Sequence, residues 1–176
     1  MKIFIIVGMP ASGKNIARQY ADTREIPYFA TGDLVRGEVS RRGLERTAEN
    51  TGRVSTELRG MDGMGVTRFA ISAALQARKP VVFMEGMRSW PEIDLIRQKA
   101  ESTVIAFLAP KEVRLERILA RGRSDDSPEY FQERDLREIS YGTAVPIAVA
   151  DEYILNTGNI EDAVQALDQI VRKDLR

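Results

Sequence analysis

The sequence predicts an α/β fold of three layers, with a five-stranded parallel sheet held between helices. Three observations carry that expectation. Short β-rich runs alternate with helix-spaced segments, each run is nearly all apolar, and 176 residues suffice for about one domain. Strands covered on both faces have no solvent side, so unbroken apolar runs are what they require.

The runs are KIFIIV at 2–7, IPYFA at 26–30, PVVFM at 80–84, TVIAFLA at 103–109 and EYILN at 152–156. Between them, helical spacing predicts helices over 13–21, 32–42, 47–58, 65–78, 90–100, 111–121, 128–140 and 160–172. In the last of these, Ile160, Val164, Leu167 and Val171 share one face. No repeat, low-complexity tract or linker interrupts the pattern, so residues 1–176 are expected to form a single domain.

Composition narrows the chemistry. Apolar residues make up 43% of the chain, and no apolar stretch approaches the roughly 18 residues a membrane span needs. The start, MKIFIIVGMP, leads into a Gly-rich loop instead of a cleavage site and reads as a strand, not a signal peptide. With no Cys there are no disulfides or thiolate chemistry, and with no His the commonest general base and metal ligand is missing. Any metal must be held by oxygen, which favours magnesium. Lys plus Arg number 26 and Asp plus Glu 26, so no global positive field exists to hold nucleic acid. A cytoplasmic protein is expected, with neither a membrane nor nucleic acid as partner.

GMPASGKN at 8–15 follows the first strand and precedes a helix. It matches the phosphate-binding pattern GxxxxGK[ST] up to its last letter, and the strand–loop–helix context is what the pattern needs. Gly8 and Gly13 permit a tight turn. The backbone of Met9, Pro10, Ala11 and Ser12 can then wrap a phosphate chain against the helix N-terminus, and Lys14 adds a positive charge for the β and γ phosphates. Asn15 stands where a Ser or Thr hydroxyl normally meets magnesium. Its amide oxygen can still accept a hydrogen bond from a metal-bound water. ATP and Mg2+ are the expected cofactors, and the fold expected is a P-loop fold.

Three further stretches carry a family resemblance. TGDLVR at 31–36, followed by Gly52-Arg53, resembles the TGDMLR of adenylate kinases. The resemblance implies that Thr31 and Gly32 line the acceptor pocket, that Arg36 and Arg53 serve the acceptor monophosphate, and that a helical acceptor-binding region spans about 31–64. EGMRS at 85–89 is similar to their DGFPR, with Glu for Asp and no proline. It implies Glu85, with Asp33 and Asn15, around magnesium, and Gly86 and Arg88 at the acceptor phosphate. Guanidinium forks suit such an anion because they match its oxygens bidentately. RLERILARGRSDDSPEYFQERDLRE at 114–138 looks like the short lid of the kinases that phosphorylate UMP and CMP. It implies a lid at about 121–137, with Arg121, Arg123 and Arg134 on the moving phosphoryl group and Arg137 on the substrate. Arg114 and Arg117 read as surface residues in helices laced with weak ion pairs.

The ending, ADEYILNTGNIEDAV at 150–164, resembles that of dephospho-coenzyme A kinases, which implies Asn156 and Gly158 beside the donor adenine. Together the stretches most resemble an archaeal family described as adenylate-kinase-related or dephospho-coenzyme A kinase-like. The activity implied is transfer of the γ-phosphoryl group of Mg·ATP to a nucleoside monophosphate. The acceptor phosphate is already ionised at neutral pH, so no general base is needed. Positioning and charge neutralisation would supply the catalysis. The expected partners are ATP and a phosphorylated small-molecule acceptor. Two other readings remain open: a dephospho-coenzyme A kinase, and a nucleotide-dependent switch or assembly factor that hydrolyses ATP slowly and acts through a protein partner. MDGMG at 61–65 has no counterpart in these families.

Overall fold

The computed structural model describes residues 1–122 and 127–175. Its centre is a five-stranded, all-parallel sheet in the order β2-β3-β1-β4-β5. The strands are β1 (Lys2–Val7), β2 (Tyr28–Ala30), β3 (Val81–Glu85), β4 (Glu101–Leu108) and β5 (Glu152–Leu155). β1 lies in the middle, with Ile5 in register with Met84 of β3 and Val104 of β4. Its successive side chains alternate between the two faces, as the pleat dictates, and both faces are covered.

Phe4 and Ile6 point into a core shared with α1 (Asn15–Thr23) and α9 (Ile160–Asp174). Ile3, Ile5 and Val7 point into a second core, shared with α4 (Gly65–Gln76) and α5 (Trp90–Arg97). A third, smaller cluster of Val35, Val39, Val54 and Val66 joins α2 (Thr31–Arg41), α3 (Ala48–Arg59) and α4. This cluster is built from helices alone, and it occupies the stretch expected to form the acceptor region. The remaining helices are α6 (Lys111–Arg121), α7 (Pro128–Ser140) and α8 (Ala144–Ala148).

Proline sets two of the small differences from the sequence reading. β2 begins at Tyr28, because the Ile26 amide still bonds back to Ala21 at the end of α1 and Pro27 offers only its carbonyl, to Phe83 N at 2.9 Å. β3 begins after Pro80, which has no N–H for the ladder. α8 escaped the reading because five residues are too short to establish a 3.6-residue period. On α9, the buried face is Ala163, Leu167, Ile170 and Val171. Ile160, the first residue of the helix, is 58% exposed and lies outside the packed cluster.

Because every strand runs the same way, the segments following β1, β2, β3, β4 and β5 all emerge at one edge of the sheet. That edge is where open α/β sheets place ligands. Residues 8–14 follow β1 at its centre, flanked by the start of α2 and by residues 86–89.

Candidate nucleotide and acceptor site

The loop after β1 is shaped by two glycines that no other residue could replace. Gly8 and Gly13 both have positive φ, 151° and 104°. A Cβ on Gly8 would lie 2.5 Å from Ser12 Oγ and 2.7 Å from the Phe107 carbonyl, and one on Gly13 would lie 1.9 Å from Asn156 Nδ2. The back of the loop is held by three side chains. Arg114 Nη1 donates to the Pro10 carbonyl at 3.1 Å, Arg117 Nη1 to that of Ala11 at 3.3 Å, and Asn156 Nδ2 to that of Ser12 at 2.9 Å. With these carbonyls engaged behind it, the loop leads into α1, whose N-terminus carries no side-chain cap. The first amides of a helix have no intrahelical partner, so this end is suited to an anion.

Lys14 is curled onto the same loop, where its Nζ donates to the carbonyls of Gly8 at 2.9 Å and Met9 at 3.1 Å. Burial lowers its pKa, and the nearby carboxylates of Glu85 and Glu138 only partly offset that. A phosphate arriving at the loop would favour its charged form.

The loop opens into a cleft of about 850 Å³. Among the described residues, seven cationic side chains line it (Lys14, Arg18, Arg36, Arg88, Arg117, Arg121 and Arg134) against three carboxylates, Asp33, Glu85 and Glu138. A chain with no net charge thus concentrates positive charge in one place. Asp33 is bracketed by Arg18 and Arg36, each at 2.5 Å. Burial opposes its ionisation, but the hydrogen bonds from Arg36 and Arg18 outweigh it and hold the carboxyl below the usual carboxylate range. Tyr28, at the outer strand β2, donates its hydroxyl to Glu85 Oε2 at 2.9 Å while Arg18 lies 4.5 Å over its ring.

Arg88 is held twice. Its backbone N–H and that of Ser89 donate to Glu92 Oε2, at 2.8 and 3.0 Å, in the capping box of α5. Its guanidinium meets Glu138 on α7, Nε to Oε2 at 3.0 Å and Nη2 to Oε1 at 3.2 Å. Glu92 itself accepts from the buried Thr67 hydroxyl at 2.6 Å, which ties the EGMRS loop to α4.

The cleft therefore brings together Gly8, Pro10, Ala11, Gly13, Lys14, Asn15, Thr31, Gly32, Asp33, Arg36, Glu85, Gly86, Arg88, Arg121 and Arg134 from the sequence reading. Met9 and Ser12 border a separate apolar hollow of about 280 Å³ behind the loop. Asn156 lies under the loop as a brace, and Gly158 is exposed outside the cleft. Arg53 is exposed on α3 and bonded to Asn50 Oδ1 at 3.3 Å, while Arg137 is exposed with Tyr130 as its ring partner. Neither lines the cleft. Arg123 lies outside the described residues.

Two expectations are corrected. Arg114 is 6% exposed, in a bidentate pair with Asp135, and Arg117 faces the cleft. Neither is a solvated surface residue, because α6 packs its arginine-bearing face on the back of the loop. Arg18, Arg117, Glu138 and Thr143 also line the cleft and were missed. Arg18 had a signal: it follows Lys14 by four residues and so shares its helix face. Glu138 and Thr143 had none, since their place depends on how α7 packs.

A magnesium ion fits the donor chemistry through the oxygens of Asn15 and Glu85 at the cleft wall. Asp33 is already engaged by two arginines. Among the described residues no three His, Cys, Asp or Glu side chains cluster to hold a metal. The ion would therefore rely on nucleotide oxygens and water, as magnesium commonly does. Also among the described residues, no helix is long and apolar enough to cross a membrane.

The parallel sheet and the loop after its central strand define a P-loop kinase-like fold, with a cationic cleft at the loop. The chain belongs to the AAA domain family, whose model matches residues 7–132, and to the group of UPF0200 proteins found in archaea. It is 39% identical over 182 residues to a UPF0200 protein of Methanosarcina barkeri, covering 98% of each chain. A UPF0200/UPF0201 protein of Archaeoglobus fulgidus is 39% identical over 180 residues, and those residues span 98% of this chain but only 56% of that protein. Among solved structures, the chain superposes on TT1252 from Thermus thermophilus with a TM-score of 0.70 at 19% identity, covering 97% and 96% of the two chains. A shikimate kinase from Bacteroides thetaiotaomicron gives 0.63 at 15% identity, covering 98% of each. These two likenesses establish the fold.

Proposed function

We propose that this protein transfers the γ-phosphoryl group of Mg·ATP to a nucleoside monophosphate. The observation that supports the reading is the single cleft that carries the phosphate loop with Lys14 and also Arg36, Arg88 and Arg134. The loop amides and Lys14 hold the donor's β and γ phosphates. Arg36 and Arg88 hold the acceptor's phosphate, and Arg121 and Arg134 neutralise charge on the group in flight. The nucleophile is a phosphate oxygen that is already ionised, so a chain without histidine lacks nothing for the transfer. Magnesium brought in with the nucleotide, beside Asn15 and Glu85, would supply further charge neutralisation.

A second reading, a nucleotide-dependent switch acting through a protein partner, is favoured by one observation. The Archaeoglobus fulgidus relative carries substantial additional chain beyond the part this protein matches. The deciding experiment measures ADP formation from Mg·ATP with each nucleoside monophosphate, with dephospho-coenzyme A and with no acceptor. Turnover that depends on a nucleoside monophosphate is the expected result. Dependence on dephospho-coenzyme A would transfer the proposal to that acceptor, and slow hydrolysis indifferent to every acceptor would sink it in favour of the switch.

A further inference from the structure

Thr143 lines the cleft at 4% exposure, yet its hydroxyl has no hydrogen-bond partner among the described residues. A buried hydroxyl left unpaired is costly, so such a group persists where a partner arrives with the ligand. Its position is set by the end of α7. The Thr143 amide bonds to the Glu138 carbonyl at 3.3 Å, and Gly142, at φ 95°, precedes it. A Cβ on Gly142 would lie 3.3 Å from the Arg88 carbonyl, so this turn packs directly against the loop that carries Arg88.

The same turn fixes how Arg88 faces the cleft. Glu138 takes the Nε and Nη2 side of its guanidinium, and Tyr141, one turn on, lies 5.0 Å from it under the ring contact. The Nη1 atom has no partner among the described residues. A guanidinium gripped along its Nε side presents its other, end-on edge to whatever enters, and that edge matches two oxygens of a phosphate.

We infer that Thr143 is an acceptor-binding residue whose hydroxyl donates to the acceptor's phosphate beside the end-on edge of Arg88, and that Glu138 is the positioning residue that aims that edge. The inference rests on the reading of the cleft as a phosphoryl-transfer site, but concerns only its acceptor end. It makes the C-terminal turn of α7 part of the acceptor site, through one hydroxyl that touches the anion and one carboxylate that does not.

The test is binding, not turnover. AMP and inorganic phosphate are titrated into the protein while the loop is saturated with a non-hydrolysable ATP analogue. Trp90, the only tryptophan and two residues from Arg88, serves as fluorescence reporter, with calorimetry alongside. Thr143→Val should weaken both probes about tenfold, Thr143→Ser should restore most of the affinity, and neither should change binding of the analogue. Because Val fills the same space and removes an unpaired hydroxyl, Thr143→Val should melt no lower than wild type. Lower affinity at undiminished stability separates a ligand-binding role from a structural one. Glu138→Gln should also weaken the probes, with no added loss when Arg88 is already Ala.

Unchanged AMP and phosphate affinity in Thr143→Val, or failure of Ser to restore it, overturns the assignment. So does a wild type that binds neither probe. Tighter phosphate binding in Glu138→Gln would show that the carboxylate competes with the anion and does not aim the guanidinium. Thr143-dependent phosphate binding in a protein that phosphorylates no acceptor would leave the inference standing and remove the transfer reading alone.

Discussion

Lys14 and Asn15 are neighbours whose contributions to a bound triphosphate differ in kind. Lys14 brings a positive charge into a buried corner where, among the described residues, it hydrogen-bonds to the carbonyls of Gly8 and Met9, which phosphate oxygens can replace. Lys14→Ala should remove about 3 kcal/mol of transition-state stabilisation, which is roughly a hundredfold or more in kcat/KM. Asn15 offers a neutral amide oxygen at the cleft wall, worth about 1 kcal/mol or roughly fivefold in rate. Asn15→Thr should keep or modestly raise turnover, and Asn15→Ala should weaken its magnesium dependence. A magnesium titration of all three variants checks the order; magnesium-dependent turnover found only in Asn15→Thr would show that Asn15 has cost the site its metal. Both residues were legible because a loop motif is local. Arg114 was misread for the opposite reason: its partners, Pro10 and Asp135, stand 104 and 21 residues away in sequence.

At the scale of elements, that arginine has a mechanical consequence. Arg114 on α6 meets Asp135 on α7 through two hydrogen bonds, 2.8 and 2.5 Å, and the same guanidinium reaches the Pro10 carbonyl. The two arginine-bearing helices are thereby fastened to each other and to the phosphate loop. Removing one member of a buried ion pair strands the other, so Arg114→Ala should cost about 3–5 kcal/mol, or about 6–20 °C in Tm for a domain of this size. Replacing both partners, Arg114→Met with Asp135→Leu, should recover most of that stability, since a well-packed apolar pair avoids the stranded charge. Nucleotide affinity should not recover with it, because the Pro10 carbonyl remains without its donor. Thermal melts and ATP-analogue titrations of the single and double variants separate the two effects; a double variant as unstable as the single would assign the loss to packing. The helices themselves, α6 and α7, were readable to the residue at both ends, for the Pro at the start of α7 and the Gly after α6 mark them locally. What the sequence did not reveal was the side each would turn inward.

Over the whole molecule, the parallel sheet and its central loop followed from apolar runs and one motif, because strands buried on both faces leave a simple signature. The charge of the cleft did not follow in the same way, since it arises where α1, α2, α6 and α7 converge. Equal totals of 26 cationic and 26 anionic residues conceal, among the described residues, seven cations facing three carboxylates in one cleft. That imbalance predicts how the protein responds to ligands. Anything that binds only the folded state raises its stability, by about 2.7 kcal/mol at a hundred times Kd, or about 5–11 °C in Tm at this length. ATP and inorganic triphosphate should both produce shifts of this order at saturation. Adenosine, which has the base and sugar but no charge, should produce little. The concentration of triphosphate needed should rise steeply as salt is raised from about 50 to 500 mM, because the added ions shorten the screening length from more than 10 Å to less than 5 Å. A thermal-shift series over the three ligands and the two salt concentrations tests this. A shift with adenosine equal to that with ATP, indifferent to salt, would place the binding energy in contacts with the base and deny the cationic cleft its role as an anion site.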